Sequence, residues 1–212
     1  MSQEPEAIWR RQAGYYIGNL EFAPLDDGRH MRTIKPFGFV DSSGRKWVVP
    51  AGAIVDGASI PSMFWPVIGG PFEGKYRDAS VIHDYYCDVR TRPWRDTDRV
   101  FYEAMLVSGV SEREAKTMYM AVVYGGPHWD LQTIRNNILS SSNAIVAASE
   151  QLGVTPDRGS GGNPTDMQIS HEQPEPGQPS EFTKAMSLKK TIMERNPTLD
   201  QIDVLVTQAT TP

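Results

Sequence analysis

At 212 residues the chain has room for one domain of roughly 150 residues plus tails. Its net charge of −5 excludes a broad nucleic-acid footprint, which would need clustered Lys and Arg. A single cysteine, Cys87, excludes a scaffold stapled by internal disulfides.

Residues 12–56 read as β-structure. Apolar and aromatic residues run from Tyr15 to Phe22, and Asp26-Asp27-Gly28 makes a turn. Met31 to Val40 follows, then a second turn at Asp41-Ser42-Ser43-Gly44, then Trp47-Val48-Val49. Short β-branched and aromatic runs between such turns predict hairpins and leave their registers open. Residues 56–76 are dense in glycine and proline around Phe64, Trp65 and Phe72, which predicts an ordered loop covering something.

Residues 76–150 read as helical. Tyr76, Ala79, Ile82, Tyr86 and Val89 share one face of a helix predicted over Lys75–Val89. Asp96 is the expected cap of a second helix running through Phe101, Met105 and Leu106 to Ser108-Gly109. Ser111-Glu112-Arg113-Glu114 has the capping-box pattern and opens a third, which stops at Gly125-Gly126-Pro127. A fourth, weaker helix is expected from Trp129 to about Ala148. The fold class expected is α+β: N-terminal hairpins, then a helical core with an antiparallel helix pair, then a flexible C-terminal tail with short helices.

One globular domain is therefore expected over residues 1–150, a Pro/Gly-rich linker over 151–181 and an amphipathic helical tail over 182–212. Such a tail either docks on a partner or frays, and the pattern leaves both readings open. The N-terminus has no apolar signal region and no run approaches ~18 apolar residues, so synthesis in the cytoplasm and no integral membrane segment are expected.

The candidate chemistry lies in His83-Asp84-Tyr85-Tyr86-Cys87-Asp88 and in Asp98 on the next helix. Histidine is readily tuned to act as a base near neutral pH, and a carboxylate can orient its ring. On a helix His83 and Asp84 point about 100° apart, so they suit two adjacent roles better than one shared ligand. A His-Asp pair on a helix is more often structural, and Asp56 before Gly57 is also a turn signal. Tyr85 and Tyr86 read as core, His128 as structural and Cys87 as a small buried hydrophobe. Arg77, Arg90, Arg92 and Arg95 form a loose basic group, of which Arg90 to Arg95 read as solvating the helix connection.

The string resembles the catalytic helix pair of secreted phospholipases A2, most closely the compact bacterial and fungal ones. Their first helix carries His-Asp and their second Asp-x-x-Phe-Tyr-x-x-Met, matched here by Asp98-Arg99-Val100-Phe101-Tyr102-Glu103-Ala104-Met105. The resemblance implies His83 as the base that activates water, Asp98 as its holder and Asp84 as a calcium ligand, with Asp56 the loop ligand. It covers roughly 25 residues, lacks that family's disulfides, and has Cys87 where the family has an aromatic hydroxyl.

A longer series is similar to a family of phage and prophage proteins of unknown function. Covering residues 15–130, it comprises Val49-Pro50-Ala51-Gly52, Asp56-Gly57-Ala58-Ser59-Ile60-Pro61, Phe64-Trp65, Tyr76-Arg77-Asp78-Ala79, His83-Asp84-Tyr85, Asp98-Arg99-Val100-Phe101 and Ala104-Met105. Together the two resemblances imply a virion-associated, calcium-dependent hydrolase of a lipid ester. The alternative is a non-catalytic virion protein or adaptor that docks on other virion proteins through its C-terminal helices. A lipid surface is an expected partner of the first, and nucleic acid of neither. A cell-wall amidase has the least support, because no His-Glu-x-x-His ligand set is present.

Overall fold

The computed structural model describes residues 14–28, 30–57, 74–140, 142–157 and 179–211. The fold is α+β, with short antiparallel strands followed by seven helices among the described residues. In chain order the strands are β1 Tyr15–Ile17, β2 Phe22–Pro24, β3 Met31–Thr33, β4 Phe37–Val40, β5 Lys46–Val49 and β6 Ile54–Val55. They form two three-stranded sheets, ordered β1-β4-β5 and β2-β3-β6.

Both expected hairpins are present. β2 pairs with β3 across Asp26-Asp27-Gly28 with Phe22 opposite Thr33, and β4 pairs with β5 with Phe37 opposite Val49. The run from Met31 to Val40 is split, however, because β3 and β4 belong to different sheets. Pro36 lies at the break and has no N–H for a ladder. Beyond it β4 becomes a central, fully buried strand. Gly38 is required there by close approach, since a Cβ would stand 2.8 Å from the Trp47 carbonyl oxygen and 2.9 Å from Ile17 Cγ1.

The first predicted helix is a 3-10 turn at Gly74–Tyr76 running into α1, Arg77–Val89. Arg90 ends it in the left-handed conformation, its N–H donating to the Tyr86 carbonyl at 3.0 Å. The second helix, α2, spans Trp94–Val107 and corrects one expectation: Pro93 is its N-cap, not Asp96. The fixed φ of the proline sets the entry. Asp96 falls in the first turn, where its charge suits the helix dipole, and pairs with Arg45 Nη1 at 2.6 Å.

The third helix, α3, spans Glu112–Gly125, and Ser111 Oγ caps it by accepting from the Glu114 N–H. The expected fourth helix is described in two stretches on either side of residue 141, α4 Leu131–Ser140 and α5 Ser142–Gln151. Asp130 Oδ1 accepts the Thr133 N–H at 2.8 Å, which starts α4 at Leu131 and not at Trp129.

The expected C-terminal helices are α6, Pro179–Arg195, and α7, Leu199–Thr210. A full capping box opens α7: Gln201 N–H donates to Thr198 Oγ1, and Thr198 N–H to Gln201 Oε1. Their apolar residues Ala185, Ile192, Ile202 and Val206 join the core built by β4, β5 and the first three helices. Both helices pack against α3, and the buried Tyr119 hydroxyl donates to Asp203 Oδ1 at 2.6 Å. Most of the predicted linker, residues 158–178, lies outside the described residues, as do Phe64, Trp65 and Phe72 of the predicted loop. No helix among the described residues is long and apolar enough to cross a membrane.

Candidate active site

The candidate site stands where α1 and α2 pack together. The connection between them is four residues long, Arg90 to Pro93. His83 sits about 9 Å before the end of α1 and Asp98 about 6 Å beyond the start of α2, by the helical rise. A tight return thus brings the two side chains level. His83 Nε2 lies 2.8 Å from Asp98 Oδ1. The expected imidazole–carboxylate contact therefore exists between the two helices.

The pair is enclosed. The His83 side chain is 0% exposed and that of Asp98 6%. The Phe101 ring lies 4.9 Å from the imidazole, centroid to centroid, and Cys87 Sγ is 3.6 Å from Nε2 and 3.7 Å from Nδ1. Cys87 stands one helical turn after His83, so its thiol lies beside the ring nitrogens as well as being buried. Burial is the largest influence on the Asp98 carboxyl and raises it above its ordinary range, while the His83 hydrogen bond and charge pull it down. With Nε2 protonated and donating to Asp98, Nδ1 carries the lone pair.

Asp84 is buried on α1 and reaches the opposite neighbour in the chain's fold. Its Oδ2 accepts the backbone N–H of Asp56 at 2.7 Å, just past β6. Asp56 is itself 9% exposed. The two expected metal ligands are thus joined by one hydrogen bond. Their carboxylates are hard oxygen donors of the kind calcium takes. Among the described residues no group of three or more His, Cys, Asp or Glu is placed to hold a metal ion.

Several neighbours were not legible as such. Tyr85 and Tyr86 are core as expected, and the Tyr86 hydroxyl accepts the Val48 N–H at 3.0 Å, fixing α1 on β5. His128 stacks on Trp94 at 3.8 Å and lies within electrostatic reach of Asp98. The four arginines do not act as one group. Arg77 lies over Phe22, Arg90 ends α1 and Arg95 pairs with Asp203 at 3.3 Å. Arg92 corrects the expectation of a solvated connection: it is 6% exposed, with its guanidinium 4.3 Å from the Trp47 ring centroid. That contact comes from a strand 45 residues upstream and leaves no local trace in the sequence.

Residues 31–122, from β3 into α3, match a family described as "Protein of unknown function (DUF1353)". All four candidate residues, Asp56, His83, Asp84 and Asp98, fall inside that span. The chain is 56% identical over 128 residues to an uncharacterized protein, y4jT, of Sinorhizobium fredii, covering 58% of this chain and 38% of that one. It is 40% identical over 119 residues to a second uncharacterized protein of the same organism, y4iH, covering 56% of this chain and 50% of that one. The chain thus spans half or less of the length of these two relatives. No solved structure matches. A domain of unknown function, as the motif series suggested, is therefore present.

Proposed function

We propose that the protein is a hydrolase of lipid esters that uses a His–Asp dyad, as the phospholipase-like helix pair implies. The observation that carries this reading is the 2.8 Å contact between His83 Nε2 and Asp98 Oδ1 across α1 and α2. In it Asp98 fixes the ring and its tautomer, and His83 Nδ1 takes the proton from an attacking water. Asp84 and Asp56 would hold a calcium ion, which when bound polarises an ester carbonyl. The reading extends to a phage or prophage protein located in the virion, on the strength of the motif series in residues 49–105.

The test is fatty-acid release from phosphatidylglycerol vesicles with calcium and with chelator. Release that needs calcium and falls at least ~100-fold in His83→Gln is expected, the usual scale for a lost general base. Vesicles left intact by the wild-type protein would sink the proposal.

A second reading is favoured by the burial of the dyad, with His83 at 0% exposure. There His83 and Asp98 are a polar network that specifies how α1 meets α2, and the protein is a virion component or adaptor. A His83→Gln variant that loses thermal stability, in a protein with no hydrolytic activity, supports that reading.

A further inference from the structure

We infer that a second site, independent of the dyad, binds a phosphate group in a cavity of about 510 Å³. Ser43 and Arg45 from the β4–β5 turn line it together with Thr91, Arg92 and Pro93 from the α1–α2 connection and Asp157 after α5.

Two adjacent side chains carry the assignment. Thr91 and Arg92 are 2% and 6% exposed, and both line the cavity. Thr91 Oγ1 and Arg92 Nη1 are buried and have no hydrogen-bond partner. Buried donors of this kind are rare in folded proteins and ask for an explanation. The arginine is rigid in every other respect. Its guanidinium lies over Trp47 and Tyr86 at 4.3 and 5.3 Å, and Nη2 donates to the Lys46 carbonyl at 2.6 Å. Trp129 Nε1 donates to the Arg92 carbonyl at 2.7 Å, which fixes the main chain as well. A guanidinium held in this way offers Nη1 in one place, at little further entropic cost.

An arginine only donates, so the missing partner is an acceptor. The surroundings specify what kind. Pro93 is the N-cap of the 14-residue α2, so the positive end of that helix adjoins the cavity. Arg45, half-exposed and paired with Asp96, adds a second cation at the rim. Asp157 is the opposing charge. Its Oδ2 accepts the Lys46 N–H at 2.7 Å and lies 3.5 Å from Arg92 Nη2 on the lining of the cavity itself, where it offsets one of the two arginine charges. Two arginines and a threonine hydroxyl line the cavity beside a helix N-terminus, more donors than the two oxygens of a carboxylate take up, which favours the tetrahedral oxyanion.

The full-length protein is titrated at constant ionic strength with inorganic phosphate, glycerol 3-phosphate and acetate, followed by calorimetry and by fluorescence of the tryptophans. Saturable binding of both phosphates is expected, with acetate at least ~10-fold weaker. Tenfold tighter binding of glycerol 3-phosphate assigns a phosphomonoester, and equal binding assigns the free anion; either upholds the site. Thr91→Val should weaken phosphate ~10-fold while the melting temperature holds or rises, because a methyl replaces an unpartnered hydroxyl. Arg45→Ala, at the half-exposed rim, should weaken it less. No saturable response, acetate bound as tightly as phosphate, or wild-type affinity in both variants overturns the assignment.

Discussion

At Asp98 burial outweighs the pull of the neighbouring histidine, and the carboxyl is held above its ordinary value of 3.8. The folded chain therefore keeps a proton there that the unfolded chain has already released. Stability from this group is complete below 3.8 and is lost as pH rises through the raised value. In urea titrations from pH 3.5 upward, Asp98→Asn should lack a downward slope that the wild-type protein shows. Parallel curves for the two proteins would refute the account. His83 and Asp98 were legible because each lies on a helix whose 3-4 periodicity is plain, with a short connection between them. Arg92 was not. A basic residue between two helices reads as solvated, and only the tertiary contact with Trp47 buries it.

Among the elements, α7 shows what periodicity can and cannot convey. Its start at Thr198 follows from a capping box, and its apolar stripe is visible in the sequence. What the stripe covers is not visible, since a helix docked on a partner and one docked on its own core share the same pattern. Here the stripe lies on α3. Ile202→Ala should therefore cost about 2–5 kcal/mol in urea unfolding, the usual range for a buried large aliphatic. Val204, 55% exposed on the same helix, should change stability by less than about 0.5 kcal/mol when made Ala. Equal effects at the two positions would mean that the docked face is another one. The strands show the converse limit. Their existence follows from composition and turns, but β1 passes over β2 and β3 to pair with β4, and local pattern carries no such instruction.

For the molecule as a whole, the family match ends at residue 122, yet the core does not. Ile145 and Ala148 of α5, Ala185 and Ile192 of α6, and Ile202 and Val206 of α7 are part of it. Removing residues 179–212 should uncover α3, lower the melting temperature by well over 5 °C and raise binding of a hydrophobic dye. A truncated chain melting where the full one does would show that the C-terminal helices are dispensable. The α+β class was legible because strand-like and helix-like stretches are segregated along the chain. The closing contacts were not, because they join residues far apart in sequence.

The hydrogen bond from Tyr119 to Asp203 joins residues 84 positions apart. At ~5–20 residues per second, a ribosome needs roughly 4 to 17 seconds to add that much chain. Through that interval the apolar side of α3 has emerged and the helices that cover it do not yet exist. Every nascent copy therefore passes through a sticky half-finished stage, in which crowding by sister chains competes with completion of its own fold.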